Sequence, residues 1–394
     1  MTEETIVIVG MARTPQGAFQ GELADVKSPT LGATAIKAAV ARAGLVADDI
    51  DDVVMGCVLP AGLGQAPARQ ASIGAGLNLS TGATTINKMC GSGMKATMFG
   101  HDLIKAGSAK IMVVGGMESM TNAPYILEKA RSGYRMGHGK IMDHMFLDGL
   151  EDAYEGHLMG YFADKTAQLH QITRQMQDDF ALNSLSRAQQ ATEKGEFKDE
   201  IIPVVIKTRK GEVTVDTDQG PRTARPEKIP HLKPAFNPDG TVTAANASSI
   251  SDGAAALVLM TKAEAEKRNL TILAEIKGHA SHAQKPSEFT LAPIGATQKV
   301  MAQTGWTVND VDLFEVNEAF ALVTLVAMKE LNLPLEKVNV NGGACALGHP
   351  VGASGARILI TLYHALKKRG LKRGVASLCI GGGEATAMAI EIAA

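Results

Sequence analysis

The residue types best suited to chemistry fall in four short stretches. The first is Asn87-Lys88-Met89-Cys90-Gly91-Ser92-Gly93. A strand-like run, Ala83-Thr84-Thr85-Ile86, precedes it, and a helical run from Met94 to Ile104 follows, so Cys90 sits at a strand-to-helix turn. Gly91 and Gly93 allow a sharp turn and close approach of a ligand. The free N–H groups and positive end of a helix favour a thiolate over a thiol, against a pKa of about 8.5 for a free cysteine. Position alone leaves two readings open, a nucleophile and a buried structural thiol. The other three stretches favour the nucleophile. They are Asn317-Glu318-Ala319-Phe320, Gly348-His349-Pro350-Val351-Gly352-Ala353-Ser354, and Cys379-Ile380-Gly381-Gly382-Gly383.

The elements that must position these residues read as α/β. The chain has 394 residues, enough for a large core and for two domains or one duplicated one. A net charge of -2 gives no reason to expect nucleic acid or an anionic membrane as partner. Cys57, Cys90, Cys345 and Cys379 are far apart with no Cys-x-x-Cys pair, which suggests neither a disulfide scaffold nor a zinc ribbon. Free thiols point to a reducing compartment, and a cytoplasmic protein is expected. No apolar run approaches membrane-spanning length, and the first residues carry no signal or transit pattern before the first strand.

Thr5 to Gly10 is a β-branched run of the kind buried on both faces. Pro29 opens a helix that stops at Gly44, Val53 to Gly56 is a second strand, and Ala68 to Ala75 a short helix. A further strand, Ile111 to Val114, is expected to end at Gly115-Gly116. From 121 to 247 the texture changes to polar loops and one amphipathic helix, Gln175 to Lys194, and this stretch reads as an inserted loop domain. Residues 1–120 form a first core half, completed by 248–270, and residues 271–394 form a second.

The second half repeats the first. Gly32-Ala33-Thr34 opens a helix ending at Gly44, and Gly295-Ala296-Thr297 opens one ending at Gly305. Asp49-Ile50-Asp51 precedes one strand and Asp310-Val311-Asp312 another. Ser92-Gly93 and Ser354-Gly355 each start a helix whose following strand ends in glycines. Landmarks in one order at nearly constant offset indicate an internal duplication of a βα-rich unit. Ligands in an open α/β sheet sit beyond the carboxyl ends of strands. Facing halves therefore predict the Cys90 turn beside the His349 turn, with Asn317 and the Cys379 loop at the same rim.

These four motifs, in this order, resemble the thiolase family over essentially the whole chain. The resemblance implies duplicated βα core halves in α-β-α-β-α layers with an inserted loop domain, and acyl transfer between coenzyme A thioesters. It implies that Cys90 takes the acyl group, that His349 takes the Cys90 proton, and that Cys379 is the second acid/base at the α-carbon. One oxyanion hole is implied at the backbone N–H groups of Cys90 and Gly381, the other at His349 and a water held by Asn317, with Glu318 orienting His349 or lying nearby. Coenzyme A contacts are implied at Arg222 for the nucleotide, Ser248 for the pantetheine, and Leu150, Met159, Ala244, Ala319 and Phe320 along the tunnel wall. Neither a metal nor an organic cofactor is implied beyond coenzyme A and its acyl thioesters as substrates. A homotetramer is expected.

Two departures bear on substrate. Many short-chain members carry His-Met-Gly where this chain has Leu158-Met159-Gly160, and His157 lies one residue earlier. Phe289 stands where straight-chain members often have Met, which resembles the branch that also takes 2-methyl-branched acetoacetyl groups. The leading expectation is thus reversible condensation and thiolysis of short-chain 3-ketoacyl-CoA such as acetoacetyl-CoA. Broader specificity, for branched or medium-chain substrates in fatty acid or amino acid breakdown, is the alternative. A decarboxylating condensing enzyme is disfavoured by Cys379, and a non-catalytic acyl-CoA binder by the intact motifs. Cys345, four residues before His349, lacks the further ligands of a zinc site and reads as a packed thiol.

Overall fold

Strand β1 (Ile6–Arg13) is the β-branched run, buried along its length. Helix α1 (Ser28–Arg42) follows, started by Pro29 in its first turn and ended before Gly44 at φ +70°. Then come β2 (Asp52–Gly56), α2 (Pro67–Gly74), β3 (Gly82–Ile86), α3 (Ser92–Lys105) and β4 (Ile111–Ser119). The computed structural model describes residues 4–393. After β4 the chain leaves the sheet through two short hairpins and helices α4 (Met159–His170) and α5 (Arg174–Glu193). The α5 helix starts one residue ahead of the expected bound, because Thr173 caps it by accepting from Met176 N at 3.2 Å. The chain rejoins the sheet as β5 (Ser251–Thr261). The second half supplies β6 (Ala274–Ala283), α6 (Ala292–Thr304), β7 (Leu313–Val316), α7 (Ala321–Leu331), α8 (Val351–Arg369), β8 (Arg373–Ile380) and β9 (Glu384–Ile392).

The duplication is visible at the level of single hydrogen bonds. The strand order is β3-β2-β4-β5-β1 in one half and β7-β8-β9-β6 in the other, with the parallel Phe314–Val338 bridge standing where β3 would be. β3–β2, β2–β4 and β7–β8 are parallel, and the remaining core pairs in both halves are antiparallel. Asp51 accepts from the N–H groups of Lys110 and Ile111, and Asp312 from those of Lys372 and Arg373. Asp49 and Asp310 each close a one-turn helix by accepting a backbone N–H at 2.8 Å. Bulges interrupt β1 between Ile8 and Gly10 and β6 between Ile276 and Gly278. β1 and β6 also pair with each other at Val7–Glu275 and Ile8–Ala274, so the half-sheets join into one ladder rather than standing apart. The pairing stops at the bulge in β1, where a bulge bends its strand, and the layering survives the join.

Three apolar cores define five layers. Leu31, Ile36 and Val40 of α1 pack on Val53 and Met55 of β2. In the middle, Met94 and Met98 of α3 and Ile358 and Leu362 of α8 fill the space between Val54 and Leu257 on one side and Leu378 and Ile390 on the other. Ala296 and Val300 of α6 cover Phe314 and Val375 from outside. Alternate residues of β2 thus serve different cores, and no face is left for solvent.

The middle layer is tight because glycine lets backbones touch. A Cβ on Gly93 would lie 2.8 Å from Ala356 N, and one on Gly355 would lie 2.4 Å from Met94 N. Gly116 performs the same service for the start of α8, since its Cβ would fall 1.9 Å from Gly352 O. This corrects the expectation that β4 ends at Gly115-Gly116. The strand runs through both glycines to Ser119, and their smoothness serves packing rather than a rim loop. Gly355→Ala is expected to lower stability by about 1–3 kcal/mol, as overpacking does, and to abolish activity by spreading α3 from α8. Thermal melting and an activity assay check this, and a variant with wild-type values for both would remove the helix contact as a constraint.

Candidate active site

The turn that carries Cys90 is held in a strained shape. Met89 has φ +47°, in the left-handed region that costs a non-glycine residue about 1–3 kcal/mol. Three local bonds hold it there. Asn87 Oδ1 accepts from Met89 N at 2.9 Å, Ser92 Oγ donates to Met89 O at 2.6 Å, and Lys88 N donates to Ser92 Oγ at 2.8 Å. Lys88 also ion-pairs with Glu384 at the start of β9, which fastens the turn to the other half. The motif residues around the cysteine are thus the ones that set its position.

Burial pushes the Cys90 thiol up to about 11, and the charge of Glu118 adds to the rise. The backbone N–H groups of Gly381 and of Cys90 itself bond the sulfur and act in the opposite direction. The helix-start N–H groups act as anticipated, but desolvation of the anion outweighs them. Cys379, on β8 and 1% exposed, is raised well above the usual thiol value by burial and by the neighbouring Cys90.

His349 occupies the matching turn before α8. Gly348, at φ +105°, makes the bend, and His349 N donates to Ser249 O at 3.1 Å. Ser354 Oγ lies 2.5 Å from His349 Nδ1 and donates its own hydrogen to Pro350 O at 3.0 Å. The ring bond is therefore given by Nδ1–H, which leaves Nε2 as a buried lone pair with no hydrogen-bond partner among the described residues. Burial, helped by the positive charge of Arg357, lowers this histidine to about 3, so it is a neutral base across the physiological range. Asn317 follows β7. Its Oδ1 accepts from Arg357 at 3.4 Å, so Nδ2 is a buried donor with no hydrogen-bond partner among the described residues.

A cavity of about 630 Å³ collects the two cysteines and the histidine, and Asn317 is not part of its lining. Cys90, His349, Cys379 and Gly381 line it, together with Leu150, Met159, Ala244, Ser248, Phe289, Ala319 and Phe320. Phe320 meets Phe289 and Phe236 edge to face, at ring separations of 6.4 and 6.1 Å, and the three form an apolar wall. Leu158 lines the cavity, whereas His157 stacks on Tyr161 at 3.9 Å. Arg222 lies apart from it, at the surface, where it pairs with Glu22 at 2.6 Å. Glu318 does not touch His349. It accepts from Ser184, Asn339 and the N–H of Cys345, and so fixes the segment that leads to the histidine. Cys345 donates weakly to Glu318 O at 3.8 Å, a packed thiol as its spacing suggested.

Three positioning residues escaped the sequence reading. Glu118, fully buried, accepts from Val58 N, Leu59 N and Gly352 N at 2.9–3.1 Å and so ties the first turn of α8 to the loop after β2. Ser354 sets the tautomer of His349, and Arg357 sets the amide orientation of Asn317. Phe236 was missed as well, because it comes from an irregular loop with no periodic signal. A buried glutamate beside the glycines of β4 was the one hint available.

A base with a free lone pair, two thiols and two N–H groups on one sulfur, gathered where duplicated halves meet, define an α/β enzyme built for thiol chemistry. Profiles described as "Thiolase, N-terminal domain" and "Thiolase, C-terminal domain" match residues 6–263 and 270–392. The chain belongs to the thiolase family. It is 48% identical over 395 residues to the acetyl-CoA acetyltransferase of Syntrophomonas wolfei, covering 99% of this chain and 100% of that one. It is 49% identical over 388 residues to the acetyl-CoA acetyltransferase of Cupriavidus necator, covering 98% and 99%. The crystal structure of the Bacillus anthracis acetyl-CoA acetyltransferase superposes with a TM-score of 0.97 at 40% identity, over 99% of each chain.

The neutral resting state has a measurable signature. With Cys90 raised to about 11, its alkylation by iodoacetamide is expected to rise about tenfold per pH unit from pH 6 to 9 without a plateau. A plateau beginning below pH 7 would show a preformed thiolate and contradict the electrostatics described.

Proposed function

We propose that this protein is an acetyl-CoA C-acyltransferase that condenses and cleaves short 3-ketoacyl-CoA thioesters, acetoacetyl-CoA among them. The observation that carries the reading is the placement of Cys90, Cys379 and the open Nε2 of His349 around one apolar cavity. Curated relatives across the full length carry the name acetyl-CoA acetyltransferase, which supports the same reaction.

In the condensing direction, His349 Nε2 takes the Cys90 proton as sulfur attacks the carbonyl of a first acetyl-CoA. The tetrahedral centre collapses with release of coenzyme A, which carries away the proton, and Cys90 is left acetylated. Cys379, deprotonated for this step, removes a proton from the methyl carbon of a second acetyl-CoA. That carbon attacks the acetyl group, a C–C bond forms, the C–S bond to Cys90 breaks, and the departing Cys90 sulfur takes the proton from Cys379 as acetoacetyl-CoA leaves. Thiolysis is the reverse. Gly381 and Cys90 already direct N–H groups at the sulfur, where the acetyl oxygen must sit once sulfur is acylated. One such donor supplies about 3 kcal/mol to an oxyanion. The donor of Asn317 and the ring of His349 suit the thioester oxygen of the enolate. Written this way the reaction needs neither metal nor organic cofactor, and coenzyme A thioesters are its substrates.

Phe289 and Leu158 on the wall support a cavity whose walls decide how large a 2-substituent or acyl chain enters, and the short-chain reading is preferred with 2-methyl substrates as the alternative. Arg222 lies at the surface in an ion pair with Glu22, and a nucleotide contact there would have to displace Glu22. A cytoplasmic homotetramer suits four free thiols and the exposed Tyr125, Leu127, Tyr134, Met136 and Ile141 of the inserted region. No helix among the described residues is long and apolar enough to cross a membrane.

The variants separate the steps. His349→Ala is expected to lose thiolysis of acetoacetyl-CoA by about 10²–10⁴-fold, in line with removal of a general base. Cys379→Ala should still exchange acetyl groups between acetyl-CoA and labelled coenzyme A while losing condensation. Loss of both activities together, or of neither, would overturn the division of labour. A purified wild-type protein that cleaves neither acetoacetyl-CoA nor 2-methylacetoacetyl-CoA would overturn the proposed substrate.

A further inference from the structure

Outside the catalytic cavity, one group of ligand-bearing side chains spans the junction between the halves. His101 and Asp102 lie on α3, and His279 lies on β6. His101 Nδ1 and His279 Nε2 are 3.1 Å apart, and Asp102 Oδ1 is 2.8 Å from the first and 3.0 Å from the second. The two rings meet edge to face, with centroids 4.7 Å apart at 88°. Hydrogen bonding alone does not serve this geometry well. If both imidazoles donate to the one Asp102 oxygen, two N–H groups stand head to head. If one donates to the other, only one bond reaches the carboxylate.

A divalent ion would use all three lone pairs at once. Ligands held about 2.0–2.1 Å from a metal lie about 2.9 Å apart in octahedral and about 3.3 Å apart in tetrahedral arrangement. The three observed separations fall close to the octahedral value. An open groove of about 420 Å³ leads to the group, so an ion and its remaining waters have access. Glu4 on its rim offers another oxygen, while Lys105 and Lys277 on the same rim oppose a cation and would temper its affinity.

We propose that His101, Asp102 and His279 bind one divalent transition-metal ion of the zinc, cobalt and nickel class, clamping α3 to β6. Two imidazoles and one carboxylate suit these borderline ions, and suit calcium or magnesium poorly because those take oxygen ligands. The residues lie apart from the cavity lining, so the ion is structural and the acyl chemistry does not run through it.

Cobalt(II) chloride, added to the full-length protein and followed by equilibrium dialysis and visible absorption, tests the site. The expected result is one ion per chain, a ligand-field spectrum without a thiolate charge-transfer band, and affinity at least about tenfold weaker in both His279→Ala and Asp102→Asn. The thermal midpoint should rise with cobalt in the wild type and not in either variant. Asp102 is exposed, so Asp102→Asn keeps the test sound if the histidine variant fails to fold. Binding that is unchanged in Asp102→Asn, no stoichiometric binding at all, or a thiolate band that places the metal on Cys90 and Cys379 would each overturn the proposal.

Discussion

Everything at the catalytic centre depends on the backbone contact between the first turns of α3 and α8. Gly93 and Gly355 let each helix press against the main chain of the other, closer than any side chain would permit. Cys90 lies two residues before one helix and His349 two residues before the other. Closing the helices therefore closes the distance between nucleophile and base. The duplication supplies the symmetry, since matching strand-to-helix turns of two related halves must meet on the axis between them. The chemistry then arises from asymmetry. One turn carries a thiol and its counterpart an imidazole, and the loop that bears Cys57 in the first half bears Asn317 in the second.

The second constraint is charge. The centre is buried enough that neither the thiolate nor the imidazolium is stable at rest, with Cys90 pushed up to about 11 and His349 down to about 3. A neutral pair costs little desolvation, and charge appears only when a carbonyl is present to receive it. The donors that will meet that charge are fixed beforehand by the fold. Around them lies a shell of buried ionic groups with their own bonds. Glu118 holds the start of α8, and Arg357 holds Asn317. Arg13, on β1, grips Asp218 and Glu200 at 2.6–2.8 Å and so binds the inserted region to the core. Removing one partner of such a group would leave an unpaired buried charge, the costliest form of damage in this core.

Much of this was legible in the sequence. The strand, glycine and aspartate landmarks disclosed the duplication because each answers a local demand. Asp51 and Asp312 satisfy backbone N–H groups at strand starts, and Gly44 and Gly305 end helices in the left-handed region. The cavity wall was legible through family motifs alone, since Leu150, Met159, Ala244 and Phe289 come from segments without a periodic pattern. Three things were not legible. Ionisation of Cys90 depends on burial, which a turn motif does not encode. The role of Gly115 and Gly116 depends on what packs against β4 from elsewhere in the chain. The work of Glu118, Ser354 and Arg357 depends on bonds between segments up to 234 residues apart. Glu318 was expected to orient His349 or to lie nearby, and its partners, Ser184 of α5, Asn339 and the N–H of Cys345, come from segments that its own motif does not name.

The most direct measurement is the site of acetylation. The protein is mixed with acetyl-CoA, quenched in acid, digested, and each of the four cysteine peptides is weighed by mass spectrometry. The account predicts one acetyl group, on Cys90, with Cys57, Cys345 and Cys379 unmodified, and greatly slowed labelling of Cys90 in His349→Ala. Acetyl on Cys379, or on Cys90 at the wild-type rate without His349, would contradict the pairing of the two turns on which this account of the site is built.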